Sequence, residues 1–264
     1  MRVEVVTGRA DALPRGWACF GLTTEDRPER RAHLRREFER AGFAAQLHVA
    51  RRPDDAGGFR SAGSRGCVEG HLACLRAAHE RGVEVCVIAE DDVMLAARAP
   101  RLMREIARQV ADITWSTLYL GYLPGSPVGR QAVHRVSRHL VRSDGWEVLG
   151  AHFVAVRHDA LPALIADFEQ RFLPGGNRID SDGIHNEFRR DHHLDTLLSV
   201  PNLAIQGPSP SGISDASSWR TELLHRDAVR RAVEVPKRAI LSLAASLPPD
   251  LAVSRWNRRA SRAT

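Results

Sequence analysis

The chain has 264 residues, 43% of them hydrophobic, which suffices for a large buried core and excludes a chain disordered throughout. Its formal charge of +6 sits at the end: ten of the 38 basic and four of the 32 acidic residues fall in 220–264, leaving 28 of each sign before it. A neutral body argues against nucleic acid as a partner, and no stretch approaches the ~20 apolar residues of a membrane span.

Residues 16–22 read as a first strand, and residues 28–41 as a helix with Pro28 in its first turn and Gly42 as its stop. A strand over 44–50 and a Gly- and Arg-rich loop over 51–66 follow. Val68, Leu72, Leu75 and Ala78 then recur at helical spacing, up to Gly82. Two β-α alternations predict an α/β fold with a mainly parallel sheet flanked by helices. Further on, a helix is expected over 100–110, a strand over 116–121, a loop over 124–130 and a strand over 146–156. A helix over 158–172, a break at 174–178, a short helix over 184–190 and an extended segment over 196–205 complete the body. Residues 207–212 read as a loop, and the pattern turns helical and basic after about Trp219. This divides the chain into a body, 1–219, and an extension, 220–264.

The stretch that carries chemistry is Val85-Cys-Val-Ile-Ala-Glu-Asp-Asp92, an apolar strand that delivers Glu90, Asp91 and Asp92 at its carboxyl end. Open α/β sheets bind ligands at that end. If the strand continues, Glu90 and Asp92 point the same way and offer two hard oxygen donors to magnesium or manganese. The alternative is an acidic turn that is simply solvated. Residues 191–195, Asp-His-His-Leu-Asp, lack ligand periodicity and read as a solvated link. Cys19, Cys67, Cys74 and Cys86 have neither zinc nor redox spacing, and Cys67 and Cys74 read as core residues. With no apolar signal-peptide core at the start, a reducing cytoplasm is the expected compartment. A phosphate loop, a dinucleotide fingerprint and a His-Glu-x-x-His pair are all missing from the sequence.

The order of segments resembles glycosyltransferase family 25, the lipopolysaccharide-biosynthesis and collagen galactosyltransferase group. The residues that carry the likeness are Arg27-Pro-Glu-Arg30, Gly63-Ser-Arg-Gly66-Cys67 with His71, Glu90-Asp91-Asp92, Leu118-Tyr-Leu-Gly121 and Gly150-Ala-His-Phe-Val-Ala-Val156. Asp182-Gly-Ile-His-Asn-Glu-Phe188, Val200-Pro-Asn-Leu-Ala-Ile-Gln206 and residues 211–215 extend it to cover about 16–216. Ser64 stands where the family has glutamate, Gly70 where it has serine, and there are extra residues around Thr23 and Thr24.

The resemblance implies a GT-A-like, Rossmann-related domain that transfers a sugar, with inversion, from a nucleotide-diphosphate donor such as a UDP-hexose. The acceptor would be a hydroxyl of a cell-surface glycan or its lipid-linked precursor. Glu90 and Asp92 are then the metal ligands, and Arg30, His71 and Asp91 the donor-site candidates. Asp182 is the first candidate for the base that an inverting transfer needs, with Asp180 second. Each has a plainer alternative: a helix N-cap for Asp182, a packed core histidine for His71, a surface ion pair for Arg30. The basic extension, with an apolar patch over 236–247, would rest on the inner membrane surface or pack as an ordinary helix. Two other functions are compatible with the residues: nucleotidyl or phosphoryl transfer by the same carboxylates, and non-enzymatic anion binding through the basic tail.

Overall fold

A computed structural model describes residues 1–9, 12–123, 133–143, 145–207 and 236–237. The loop expected at 124–130, the one after Gly207, the boundary at 219 and nearly all of the basic extension lie outside these residues.

The first element, β1 (Arg2–Val6), was not among the expected strands; it is mostly exposed and paired antiparallel at the sheet edge. β2 (Trp17–Thr24), α1 (Pro28–Ala41), β3 (Ala45–Ala50), α2 (Ala62–Glu80) and β4 (Val85–Glu90) follow as expected, with one difference. α2 starts before Gly66 because Ser61 caps it, its hydroxyl accepting from the Ser64 amide at 3.0 Å. α1 ends where Gly42 adopts a left-handed φ of 74°, which lets the Gly42 and Phe43 amides close on the Glu39 and Phe38 carbonyls. Leu34 and Phe38 on its inner face are fully buried, each worth about 1.5–3 kcal/mol.

The second half comprises β5 (Val93–Leu95), α3 (Ala99–Val110), β6 (Thr117–Gly121), β7 (Val133–Ser137), β8 (Leu140–Ser143), β9 (Phe153–Arg157), α4 (Leu161–Gln170), α5 (Ser181–Asp191), β10 (Thr196–Ser199) and β11 (Ala204–Gln206). Only the end of the strand expected over 146–156 is a strand, the β7–β8 hairpin was not anticipated, and the segment 196–205 is two strands rather than one. The sheet order is β1-β3-β2-β4-β9-β6-β10-β8-β7, with β11 beside β6 and β5 beside β11. β2 is parallel to β3 and β4, and β6 to β10, but β9 runs antiparallel between β4 and β6. The sheet of this α/β fold is therefore open and mixed.

Alternation along β4 explains its apolar run. Val85, Val87 and Ala89 face one core with α1 and α3, while Cys86 and Ile88 face the other with α2, α4 and α5. Both faces are covered, so neither phase is polar. Among the described residues no helix is long and apolar enough to cross a membrane.

Candidate functional site

After β2 the chain crosses to β3 over the face of α1, then returns past β2 to β4 over the face of α2. The two crossovers lie on opposite faces and diverge at the carboxyl ends of β2 and β4, which leaves a crevice there. Thr23 and Thr24 end β2 in this cleft, the acidic triplet ends β4, and Gly66 and Gly70 of α2 and Gln206 close its sides. At Gly70 a Cβ would stand 3.3 Å from the Leu22 Cβ, so the missing side chain lets α2 approach β2 closely.

The three carboxylates do not alternate along a continuing strand. β4 stops at Glu90, and Asp91 and Asp92 form the turn into β5. Glu90 keeps the phase of Ile88 and points at α2, where its Oε1 lies 3.2 Å from His71 Nε2 and 3.8 Å from Cys67 Sγ. Asp91 turns toward α1, accepting from Arg30 Nη1 at 2.7 Å and from the Thr23 hydroxyl at 3.2 Å. Asp92 Oδ2 is 3.9 Å from the same Arg30 nitrogen, and its Oδ1 is buried with no hydrogen-bond partner.

Burial dominates the electrostatics. It pushes Glu90 up to about 8, helped by the negative charges of Asp182 and Asp91 and opposed by Arg30. Asp92 rises to about 7, again chiefly through burial, with Arg30 pulling the other way. His71, wholly buried, falls to about 4, and burial holds the Cys67 thiol well above its usual range. The ligand atoms of Cys67, His71 and Glu90 lie within 4.8 Å of one another, and at neutral pH thiol, imidazole and carboxyl are mostly uncharged. His71 does not line the cleft itself and, among the described residues, touches its acidic triplet through Glu90. Cys67 lines the cleft instead of filling the core, whereas Cys74 is buried as expected.

The closing aspartates are also redistributed. Asp182 lies inside the first turn of α5, and its two oxygens accept the Gly150 and Ala151 amides at 2.8 and 2.7 Å. Asn186 bonds both the amide and the carbonyl of Val148, at 3.0 and 3.2 Å, and Arg189 donates to the Trp146 carbonyl. Positions i, i+4 and i+7 share one helix face, so one side of α5 fastens the irregular segment 145–151. Arg189 is fully buried, donates also to Thr196, Asn186 and the Tyr119 hydroxyl, and sits 4.7 Å above the Tyr119 ring. Asp182 therefore anchors the backbone at 150–151, and the N-cap position expected of it belongs to Asp180. Asp180 is the N-cap residue but makes no capping bond, because its carboxylate accepts from Ser64 and lies 3.7 Å from Arg60. Its side chain is 35% exposed.

The structure thus brings Glu90, Asp91, Asp92 and Arg30 into one cleft, with His71 behind it and Asp180 across the first turn of α2. Thr23, Arg27, Arg52, Cys67 and Gln206 belong to the cleft and were not singled out as site residues. Arg27 and Gln206 lie inside motifs that carried the resemblance, so only their roles escaped notice. Arg52 follows β3, in a loop without any motif. Residues 191–195 pair with separate neighbours, Asp195 with Arg142 at 3.0 Å and His192 with Asp167 at 3.8 Å, and do not converge.

No protein-family model matches this chain, and no curated protein matches it.

Proposed function

We propose that the cleft is the donor site of a GT-A-like inverting glycosyltransferase that moves a hexose from a nucleoside diphosphate to a hydroxyl. The observation that carries this reading is the placement of Glu90, Asp91 and Asp92 at the carboxyl end of a buried strand, beside the switch in strand order. The buried, partnerless Oδ1 of Asp92 fits a hard divalent cation, manganese or magnesium, with Glu90 as the second carboxylate. Such an ion supplies positive charge to the donor phosphates and to the departing nucleoside diphosphate.

The protein's own residues do the rest. Arg30 holds Asp91 and so fixes the turn that presents Asp92. His71 sets the orientation of Glu90. Asp180, the more exposed aspartate, takes the proton of the acceptor hydroxyl as its oxygen bonds to the anomeric carbon and the bond to the phosphate oxygen breaks. Asp182, Asn186 and Arg189 keep the neighbouring segment in place without entering the reaction. The acceptor in this reading is a cell-surface glycan or its lipid-linked precursor, approached from the cytoplasmic face. Lys237, the extension's described cation, donates to the Gln206 carbonyl at 3.5 Å, which supports a link between the extension and the cleft.

The test is thermal stability with a panel of nucleoside diphosphates, each with manganese or with chelator, on wild type and Asp92→Ala. Ligands that bind the folded state raise its melting point. A rise that is specific to one nucleotide, needs metal and is lost in the variant supports the reading; no rise with any nucleotide overturns it.

A further inference from the structure

We propose that Cys67, His71 and Glu90 form a further metal site, one that takes zinc or another thiophilic divalent ion and is separate from the hard-cation position at Asp92. The site itself does not depend on the donor-site reading; only its effect on turnover does.

Cys67 and His71 are one helical turn apart on α2 and share a face, and Glu90 supplies the third corner from the end of β4. Glu90 Oε1 lies 3.2 Å from His71 Nε2 and 3.8 Å from Cys67 Sγ. Zinc bonds of about 2.0–2.3 Å in a tetrahedron set neighbouring ligand atoms about 3.3–3.6 Å apart. Two edges of the triangle therefore match zinc within a few tenths of an ångström. The third, between sulfur and ring nitrogen, is no longer than 4.8 Å and closes by a movement of the Cys67 side chain. A thiol and an imidazole beside a carboxylate are zinc donors, whereas magnesium and manganese prefer oxygen. The cysteine spacing carries no zinc signature because the ligands are three residue types on two elements.

Charge and access agree. Asp182 lies close enough for its negative charge to act on all three groups, and Asp91 adds to it at Glu90, which favours a cation among them. Arg30 opposes this, but its charge is engaged by Asp91 at 2.7 Å. Cys67 and Glu90 line the cleft, so an ion has a way in and a fourth position open to water. The Ser181 hydroxyl, 3.5 Å from the sulfur, can donate to the thiolate once zinc has displaced the thiol proton to solvent. Cys19, Cys74 and Cys86 are instead buried. His71 Nδ1 is buried without a partner, so the ring lacks the outer hydrogen bond whose loss costs about 10–100-fold in zinc affinity. The site thus suits an ion that comes and goes. By engaging Glu90, zinc withdraws a carboxylate from the donor-site cation, and in that reading it inhibits.

The experiment is titration of metal-stripped protein with cobalt, the spectroscopic substitute for zinc, without nucleotide and under a non-thiol reductant. The proteins are wild type, Cys67→Ser, Glu90→Gln and Asp92→Asn. Wild type should develop a near-ultraviolet thiolate-to-cobalt charge-transfer band and the visible bands of a tetrahedral ion, and equimolar zinc should bleach both. Cys67→Ser should lose the charge-transfer band and bind zinc at least tenfold more weakly. Glu90→Gln should weaken zinc binding likewise, whereas Asp92→Asn should keep the band undiminished. Serine is close to cysteine in size and Cys67 lies in the cleft wall, so metal-free Cys67→Ser should melt where wild type does, which separates lost ligation from lost folding. Absence of the band in wild type, its persistence in Cys67→Ser, or its loss in Asp92→Asn would overturn the proposal. With no nucleotide present, the result is independent of the donor-site test. Cobalt binding by a protein that no nucleoside diphosphate stabilises keeps this site and removes the donor reading.

Discussion

Replacing Asp92 by Asn should make the metal-free protein more stable, and the gain should grow with pH. Asp92 is buried, one oxygen has no partner, and its pKa stands at about 7 against an ordinary 3.8. A carboxylate whose folded pKa is raised favours the folded state less as pH rises, because the unfolded chain ionises first. The loss begins near the ordinary value and is complete above the folded one. At 1.36 kcal/mol per pKa unit, holding Asp92 in the folded site costs about 4 kcal/mol at pH 8, where it is forced to ionise, and about 2 kcal/mol at pH 5, where it stays protonated while the unfolded chain ionises. An asparagine carries no charge but still buries a polar head, at about 1–2 kcal/mol independent of pH. The variant should then exceed wild type by about 2–3 kcal/mol at pH 8 and match it within about 1 kcal/mol at pH 5. In melting temperature that is roughly 2–4 °C per kcal/mol for a domain of this size. The assay is urea and thermal unfolding of both proteins from pH 5 to 8.5 in chelator, repeated with manganese. Manganese should stabilise wild type, increasingly as pH rises and the proton it displaces becomes easier to remove, and leave the variant unmoved. A stability difference that does not change with pH, or a variant less stable than wild type at pH 8, would refute the reasoning.

Other expectations concern α5. Arg189→Met leaves the buried Tyr119 hydroxyl and the part-buried Trp146 carbonyl without their donor, so unfolding should become easier by about 2–4 kcal/mol, read by denaturant titration. Limited proteolysis should then cut within 145–151. Asp182→Asn turns an N–H toward one of the two backbone amides it now accepts, a loss of about 1–3 kcal/mol. Asp180→Asn should leave stability and donor binding nearly unchanged and depress turnover at saturating donor. If Asp182→Asn depresses turnover with stability intact while Asp180→Asn does not, the two aspartates exchange roles.

Several elements were legible because local chemistry decides them. Pro28 and Gly42 mark the ends of α1, and the apolar run before Glu90 is a strand buried on both faces. β1, with Val3, Val5 and Val6 in five residues, carried a readable β-branched signal that was passed over, although Val3 and Val5 stay exposed at the sheet edge, and β7–β8 escaped because its residues are largely polar. The antiparallel insertion of β9 between β4 and β6 is a choice among tertiary pairings that no periodicity encodes. The site shows the same division. The triplet was visible as residue type and position, but the direction of each side chain depends on the turn at Asp91 and on contacts far along the chain. Arg30 meets Asp91 across 61 residues, and Ser64 meets Asp180 across 116. Asp182 was visible as a carboxylate at a helix start; that both its oxygens hold the backbone of 150–151 follows only from the folded arrangement.

The most direct test of the central claim is product analysis after incubation of wild type and Asp92→Asn with UDP-hexose, manganese and a hydroxyl acceptor. The account predicts that wild type releases intact UDP, joins the sugar to the acceptor with inverted configuration, and stops when metal is chelated or Asp92 is replaced. Release of nucleoside monophosphate would contradict it in favour of phosphoryl-group chemistry. Turnover undiminished in chelator or in the variant would contradict the assignment of Asp92.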